Sequence, residues 1–293
     1  MLCFAGAVLA LASGGSGSSL PSSLEATRSI TFATRDRIEL KIDVIKSRRS
    51  LGGQAAPAIL FLHGGAWRDG RRDLPNPIQY ELAQRGYVCF QSDYRLSQES
   101  PFPAQLHDVR AAINWIKENA EAWGVDASRI GVWGMSAGAH LALLTAYAGD
   151  AMTEKGTNPV RVQAVAGVMP TTDVLGIYRY RLAQRNVRSD LVGQSSPEAQ
   201  LLGGDPEQLQ DLARAASPVN YVSPDAPPTW LVHGVNDDTV PAQQSQTLAS
   251  LLGKAQVRRQ LVLLAGLKHE AKWDLFQDGV VTFFQRELGA PNR

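Results

Sequence analysis

The chain has 293 residues, 44% of them hydrophobic and 19% charged, which is enough apolar material for one large domain with a sizeable core. The formal net charge is +1, and no basic run or aromatic-basic stripe is visible, which argues against nucleic acid as a partner. The two cysteines, Cys3 and Cys89, exclude a disulfide framework in practice, and no run of about 18 apolar residues is available to span a membrane.

Leu2 to Ala12 is apolar, and Ser13 to Ser19 is almost entirely Gly and Ser. This resembles the apolar region and cleavage zone of a secretory signal peptide, without the basic residues that open one. Residues 1–24 are therefore read as a truncated signal peptide with a flexible Gly/Ser segment. A secreted or periplasmic location is expected, with the cytoplasm as the alternative.

Globular sequence begins near Glu25. Ser29 to Thr34 and Ile38 to Ile45 alternate apolar and polar residues around Arg35-Asp36-Arg37, which predicts a β-hairpin at a sheet edge. Pro57 to Leu62 reads as a buried strand that ends in His63-Gly64-Gly65-Ala66-Trp67. A helix over Pro77 to Arg85 and a strand over Tyr87 to Ser92 follow. Ala104 to Trp123 has helical periodicity, with Leu106, Val109, Ile113 and Ile116 on one stripe, and Gly124 stops it. Arg129 to Trp133 is a short apolar strand, and Ala139 to Ala146 is rich in helix formers.

Further strands are predicted at Val162 to Met169, Thr229 to Val232 and Val257 to Leu264, with helices at Ala242 to Gly253 and Lys272 to Leu288. Thr171 to Pro228 breaks the rhythm. It is long, polar and rich in Arg, Gln, Pro and Gly, and reads as a lid-like insertion over the sheet edge. The alternation predicts an α/β fold with a mostly parallel central sheet and helices on both faces, so ligands should bind beyond the carboxyl ends of the strands.

Between the central strand and its helix lies Gly134-Met135-Ser136-Ala137-Gly138, a G-x-S-x-G nucleophile elbow in strand-turn-helix context. A serine hydroxyl needs a base to take its proton and a third group to orient that base. In the α/β-hydrolase fold these follow the serine as an acid and then a histidine. His269, after the last strand, is the candidate base, while Asp237 and Asp238 are adjacent candidates for the acid that spacing does not separate. Asp173 is the runner-up, with a helix cap as its plainer role. His63, His107, His140 and His233 are expected to be structural: His140 beneath the elbow, His233 within the acid loop, His63 bracing the glycines. No spacing suggests a metal site, and no cofactor is expected. Backbone N–H groups of Gly64, Gly65 and Ala137 are the candidates for an oxyanion hole.

HGGAW, DYRL, FPAQLHDVRAAINWI, GMSAGAH and HGVNDDTVP together resemble the α/β-hydrolase esterases of the hormone-sensitive-lipase and feruloyl/acetyl-xylan esterase (BD-FAE) type, from about Pro57 to His269. SPEAQLLGG and ARAASPVNYVSPDAPP extend the resemblance into the insertion. The resemblance implies a serine carboxylesterase with Ser136 as nucleophile, Asp237 as acid and His269 as base, acting on short acyl, acetyl or feruloyl esters, free or carried on plant polysaccharide. Ala66 in place of a third glycine, Met135 in the elbow and Glu270 after His269 depart from the family pattern. A kynurenine-formamidase-like amide hydrolase is the alternative, and a non-catalytic binding module on a hydrolase fold is a second. Trp67, Tyr178 and Tyr180 are expected to contact substrate, and Arg179, Arg181, Arg185 and Arg188 to give the insertion a basic face, either solvated or attractive to acidic substrates.

Overall fold

The computed structural model describes residues 20–49, 54–74, 76–184 and 189–289. The signal-peptide reading falls on a segment of which residues 1–19 lie outside that set. The hairpin is β1 (Leu24–Arg35) and β2 (Ile38–Ser47), joined by Asp36 and Arg37 at positive φ of 49° and 69°. Positive φ at both central residues is the turn whose twist matches paired strands. β3 (Ala56–Leu62), β4 (Val88–Ser92), β5 (Val125–Met135), β6 (Ala164–Val168), β7 (Thr229–Gly234) and β8 (Arg259–Leu264) complete one sheet in the order β1-β2-β4-β3-β5-β6-β7-β8. β1 and β2 are antiparallel to their neighbours, and every pairing from β4 to β8 is parallel.

Helices cover both faces. They are α1 (Pro77–Gln84), α2 (Ala104–Glu118), α3 (Ala120–Trp123), α4 (Ala137–Tyr147), α5 (Val174–Leu182), α6 (Pro197–Leu202), α7 (Gln210–Ala215), α8 (Gln243–Lys254) and α9 (Trp273–Leu288). Alternate residues of β3 go to opposite sides. Leu60 and Leu62 join α2, α4 and α8 in one core, while Ile59 and Phe61 join α1 and α9 in the other. This two-sided burial explains the unbroken apolar runs of the central strands. The expected stripe of Leu106, Val109, Ile113 and Ile116 is fully buried. The expected single helix over Ala104 to Trp123 is instead two. Asn119 leaves helical geometry, and its carboxamide donates to the Trp115 carbonyl at 2.8 Å beside its own N–H, which donates to the same oxygen at 3.0 Å.

The described residues of the segment 171–228 form more regular structure than its polar composition suggests. It carries α5, α6 and α7, and sends Leu201, Leu202, Ala213 and Ala216 into the core shared with α4. Thr172 donates to Gln244 of α8, and the Leu201 carbonyl accepts from Phe102 N–H at 2.7 Å. These ties put it above the carboxyl ends of the central strands. Among the described residues no helix is long and apolar enough to cross a membrane.

Candidate active site

The elbow is strained in the way its sequence requires. Ser136 has φ 54° and ψ −119°, a conformation that non-glycine residues adopt only where the surroundings enforce it. Its N–H donates to Val168 O at 2.8 Å, and its carbonyl accepts from His140 N–H at 2.9 Å, which fixes the strand end to the first turn of α4. Gly138 is needed for close approach: a Cβ there would collide with the carbonyl oxygens of Leu62 and His63, at the end of β3 and the start of the glycine loop.

His269 and Asp237 meet at this point. The Ser136 hydroxyl lies 2.9 Å from His269 Nε2, and His269 Nδ1 lies 2.7 Å from Asp237 Oδ2. The carboxylate can only accept from Nδ1–H, which leaves Nε2 free to accept the serine proton. Asp237 is buried. Its Oδ1 accepts from the N–H groups of Thr239 and Val240, and His233 Nε2 stands 3.3 Å from its Oδ2. Burial pushes its pKa up, but the bonds from His233 and His269 and the charge of His269 outweigh this and hold it well below the usual carboxylate range.

Asp238 is exposed, and Asp173 caps α5 by accepting from Gly176 N–H. The four remaining histidines are engaged elsewhere. His63 Nδ1 donates to the Gly64 carbonyl at 2.8 Å and its ring stacks on Tyr94. His107 bonds the Met152 carbonyl, and His233 bridges Ser245 and the Val240 carbonyl. His140 is described with Trp67 below.

The glycine loop lies against the nucleophile. A Cβ built on Gly64 would stand 3.5 Å from Ser136 Cβ. Gly65 has φ 115°, and its carbonyl accepts from the N–H groups of Arg68 and Asp69, closing the turn. Only glycine takes that φ readily. Ala137 begins α4, so its N–H has no acceptor within the helix. The N–H groups of Gly64 and Gly65 have no backbone acceptor among the described residues outside the regular elements. Ala137 thus follows the nucleophile directly and Gly64 packs against it, with Gly65 the next residue of the same turn.

The expected substrate contacts need correction. Trp67 is 2% exposed, and its indole N–H donates to His140 Nδ1 at 3.0 Å, so the ring braces the loop from beneath. Tyr178 is also buried. Tyr180, 40% exposed, is the one of the three whose ring is open to a ligand. The expected basic face is not present in the described residues either. Arg179 forms a two-pronged pair with Glu207, and Arg181 is buried against Glu198. Arg185 and Arg188 lie outside the described residues. Beyond Trp67, Arg68 helps to line an open groove of about 480 Å³ together with Ser97, Gln98 and Gln200.

Two ties were not legible in the sequence. One joins Trp67 to His140, and the other joins Arg181 Nη2 to the carbonyl of Thr239 in the acid loop, at 3.0 Å. Both link residues more than fifty positions apart. The sole sequence signal is that Trp67 and His140 each stand just past the glycines of their motifs.

The BD-FAE family model matches residues 44–252. The chain belongs to the BD-FAE family. The matched span holds the glycine loop, the elbow and Asp237, and it ends before His269. Esterase LipQ of Mycobacterium tuberculosis is 31% identical over 204 residues, 69% of this chain and 47% of the relative. The probable carboxylic ester hydrolase LipM of the same organism is 31% identical over 214 residues, 72% and 48% of the two chains. The chain thus spans about half the length of the curated relatives it matches. A solved structure described as a truncated form of carbohydrate esterase from gut microbiota aligns with a TM-score of 0.76 at 24% identity, covering 90% of this chain and 96% of that one. This likeness establishes a shared α/β-hydrolase fold.

Proposed function

We propose that the chain hydrolyses carboxylic esters through an acyl-serine intermediate. Ser136 Oγ attacks the carbonyl carbon while His269 Nε2 takes its proton. Asp237 keeps Nδ1 protonated and stabilises the imidazolium that forms. The carbonyl oxygen becomes an oxyanion held by the N–H groups of Gly64, Gly65 and Ala137. His269 returns the proton to the departing alcohol, then activates a water that releases the acid. The observation that carries this proposal is the unbroken chain of 2.9 Å and 2.7 Å contacts from Ser136 through His269 to Asp237, with the glycine loop against the serine. Relatives named as esterases support the reaction class.

Within that class we propose a short acyl group on a hydroxyl-rich alcohol, such as an acetyl or feruloyl ester of a plant polysaccharide. The groove beyond the glycine loop is lined by Arg68, Ser97, Gln98 and Gln200, whose side chains already donate to carbonyls of Ser195, Trp67 and Arg68, and the carboxamide oxygens of Gln98 and Gln200 are acceptors that suit sugar hydroxyls. The test is hydrolysis of p-nitrophenyl acetate, p-nitrophenyl octanoate, methyl ferulate, acetylated xylan and N-formylkynurenine by the wild type and Ser136→Ala. Turnover of acetyl or feruloyl esters that vanishes in the variant is expected. Turnover of N-formylkynurenine alone would replace the esterase with an amide hydrolase using the same residues.

A further inference from the structure

The loop that brings Gly64 and Gly65 to the serine belongs to no strand or helix. Two of its residues, Ala66 and Trp67, sit at positive φ of 53° and 59°. Side-chain-bearing residues persist there only where neighbours hold them. The holders are visible. The Trp67 carbonyl accepts from Ser97 N–H at 2.8 Å and from Ser97 Oγ at 3.1 Å, and its indole N–H donates to His140 Nδ1 at 3.0 Å. The indole meets the imidazole edge-on, with centroids 5.0 Å apart and planes at 85°.

His140 is suited to be the anchor. An indole can only donate, so Nδ1 must offer its lone pair. Nε2 then carries the proton and donates to the Ala216 carbonyl at 2.6 Å. Both ring nitrogens are therefore committed. Complete burial pushes the imidazole pKa down to about 4, against the bond to Ala216, so the neutral tautomer that accepts from Trp67 is the form present at neutral pH. The backbone of the same residue donates to the Ser136 carbonyl at 2.9 Å. One residue is thus bonded to the nucleophile's backbone through its own main chain and to the glycine loop through its side chain.

We propose that His140 is a positioning residue, holding the Gly64 and Gly65 N–H groups in register with Ser136 through the Trp67 indole. This rests on the ester-hydrolase reading above. It predicts a loss in kcat with little change in KM, because the oxyanion forms only after the substrate has bound.

Four variants test it: Trp67→Phe, which keeps a ring but removes the donor; His140→Asn, whose Oδ1 replaces the Nδ1 acceptor; His140→Gln, which replaces Nε2 but not that acceptor; and the double variant Trp67→Phe/His140→Gln. Each is assayed on p-nitrophenyl acetate beside the wild type and Ser136→Ala. Thermal midpoints and the exchange rate of the Trp67 indole proton by NMR are also recorded. Trp67→Phe and His140→Gln should each lose about tenfold or more in kcat, since misplacing reacting groups by about 1 Å can cost a hundred-fold. The double variant should be no worse than either single one, and His140→Asn should recover most of the rate. Wild-type kcat in Trp67→Phe and His140→Gln, whatever their thermal midpoints, would overturn the proposal. A wild type silent on esters would refute the ester-hydrolase reading instead. The indole would then decide the clamp alone: slow exchange in the wild type and fast exchange in His140→Gln supports it, and fast exchange in both overturns it.

Discussion

His269 Nδ1 lies 2.7 Å from Asp237 Oδ2, while the neighbouring Asp238 points away and accepts from the Thr239 hydroxyl. Two adjacent carboxylates that spacing could not separate therefore have different surroundings. Asp237→Asn removes the acceptor that holds His269 in its working tautomer, and should lower kcat about 10,000-fold, as loss of the orienting acid does in other triads. Asp238→Asn should stay within about twofold, the usual outcome for a surface site away from the chemistry. Steady-state rates on p-nitrophenyl acetate check both.

The depressed pKa of Asp237 also predicts how stability varies with pH. A carboxylate whose folded-state value lies below its unfolded value of about 3.9 stabilises the fold above that pH. The contribution is lost as pH falls toward the folded value. The gap in denaturant midpoint between the wild type and Asp237→Asn should be widest near neutrality and should narrow below about pH 4. A gap constant from pH 7 to pH 3 would contradict the depressed value.

Arg181 and Glu198 form an ion pair with side-chain exposures of 6% and 0%, between α5 and α6. Burial raises the Glu198 pKa and the Arg181 charge opposes that shift. Removing the cation alone strands a buried carboxylate, and Arg181→Met should cost about 3–5 kcal/mol in denaturant unfolding. Arg181→Met/Glu198→Leu should recover most of that loss, since neither charge then remains to be desolvated.

The groove beside Arg68 makes a separable claim about the alcohol side of the substrate. Gln98→Ala and Gln200→Ala each remove a carboxamide from its wall. Each should raise KM for an acetylated xylo-oligosaccharide several-fold, about 1 kcal/mol per lost hydrogen bond. KM for p-nitrophenyl acetate, which has no sugar to place there, should not change. Equal effects on both substrates would remove the groove from the binding site.

Much of the architecture was legible because its signals are local. Alternation in Ile38 to Ile45, the apolar run Pro57 to Leu62 and the glycine-flanked serine each report backbone geometry within a few residues. Ser136 and His269 stood out because motif chemistry recurs at strand ends, whereas Asp237 was separated from Asp238 only by resemblance to a family pattern. Substrate contacts were not. Trp67 follows the glycine loop in sequence, yet its ring turns under the loop to reach His140, 73 residues away. Tyr178 and Arg181 sit in a polar segment, but the helices there bury one face, and burial depends on partners such as Glu198 that composition does not reveal. The break at Asn119 was hidden for a related reason: an asparagine whose carboxamide bonds its own helix leaves the apolar periodicity untouched.

The central claim is that Ser136 is an activated nucleophile, and covalent labelling tests it most directly. The wild type is treated with an excess of paraoxon, and intact mass and peptide mapping are recorded with Ser136→Ala and His269→Ala in parallel. A single phosphoryl adduct on the peptide containing Ser136 is expected, absent in Ser136→Ala and strongly slowed in His269→Ala. An unlabelled wild type, or an adduct on any other residue, would contradict the assignment.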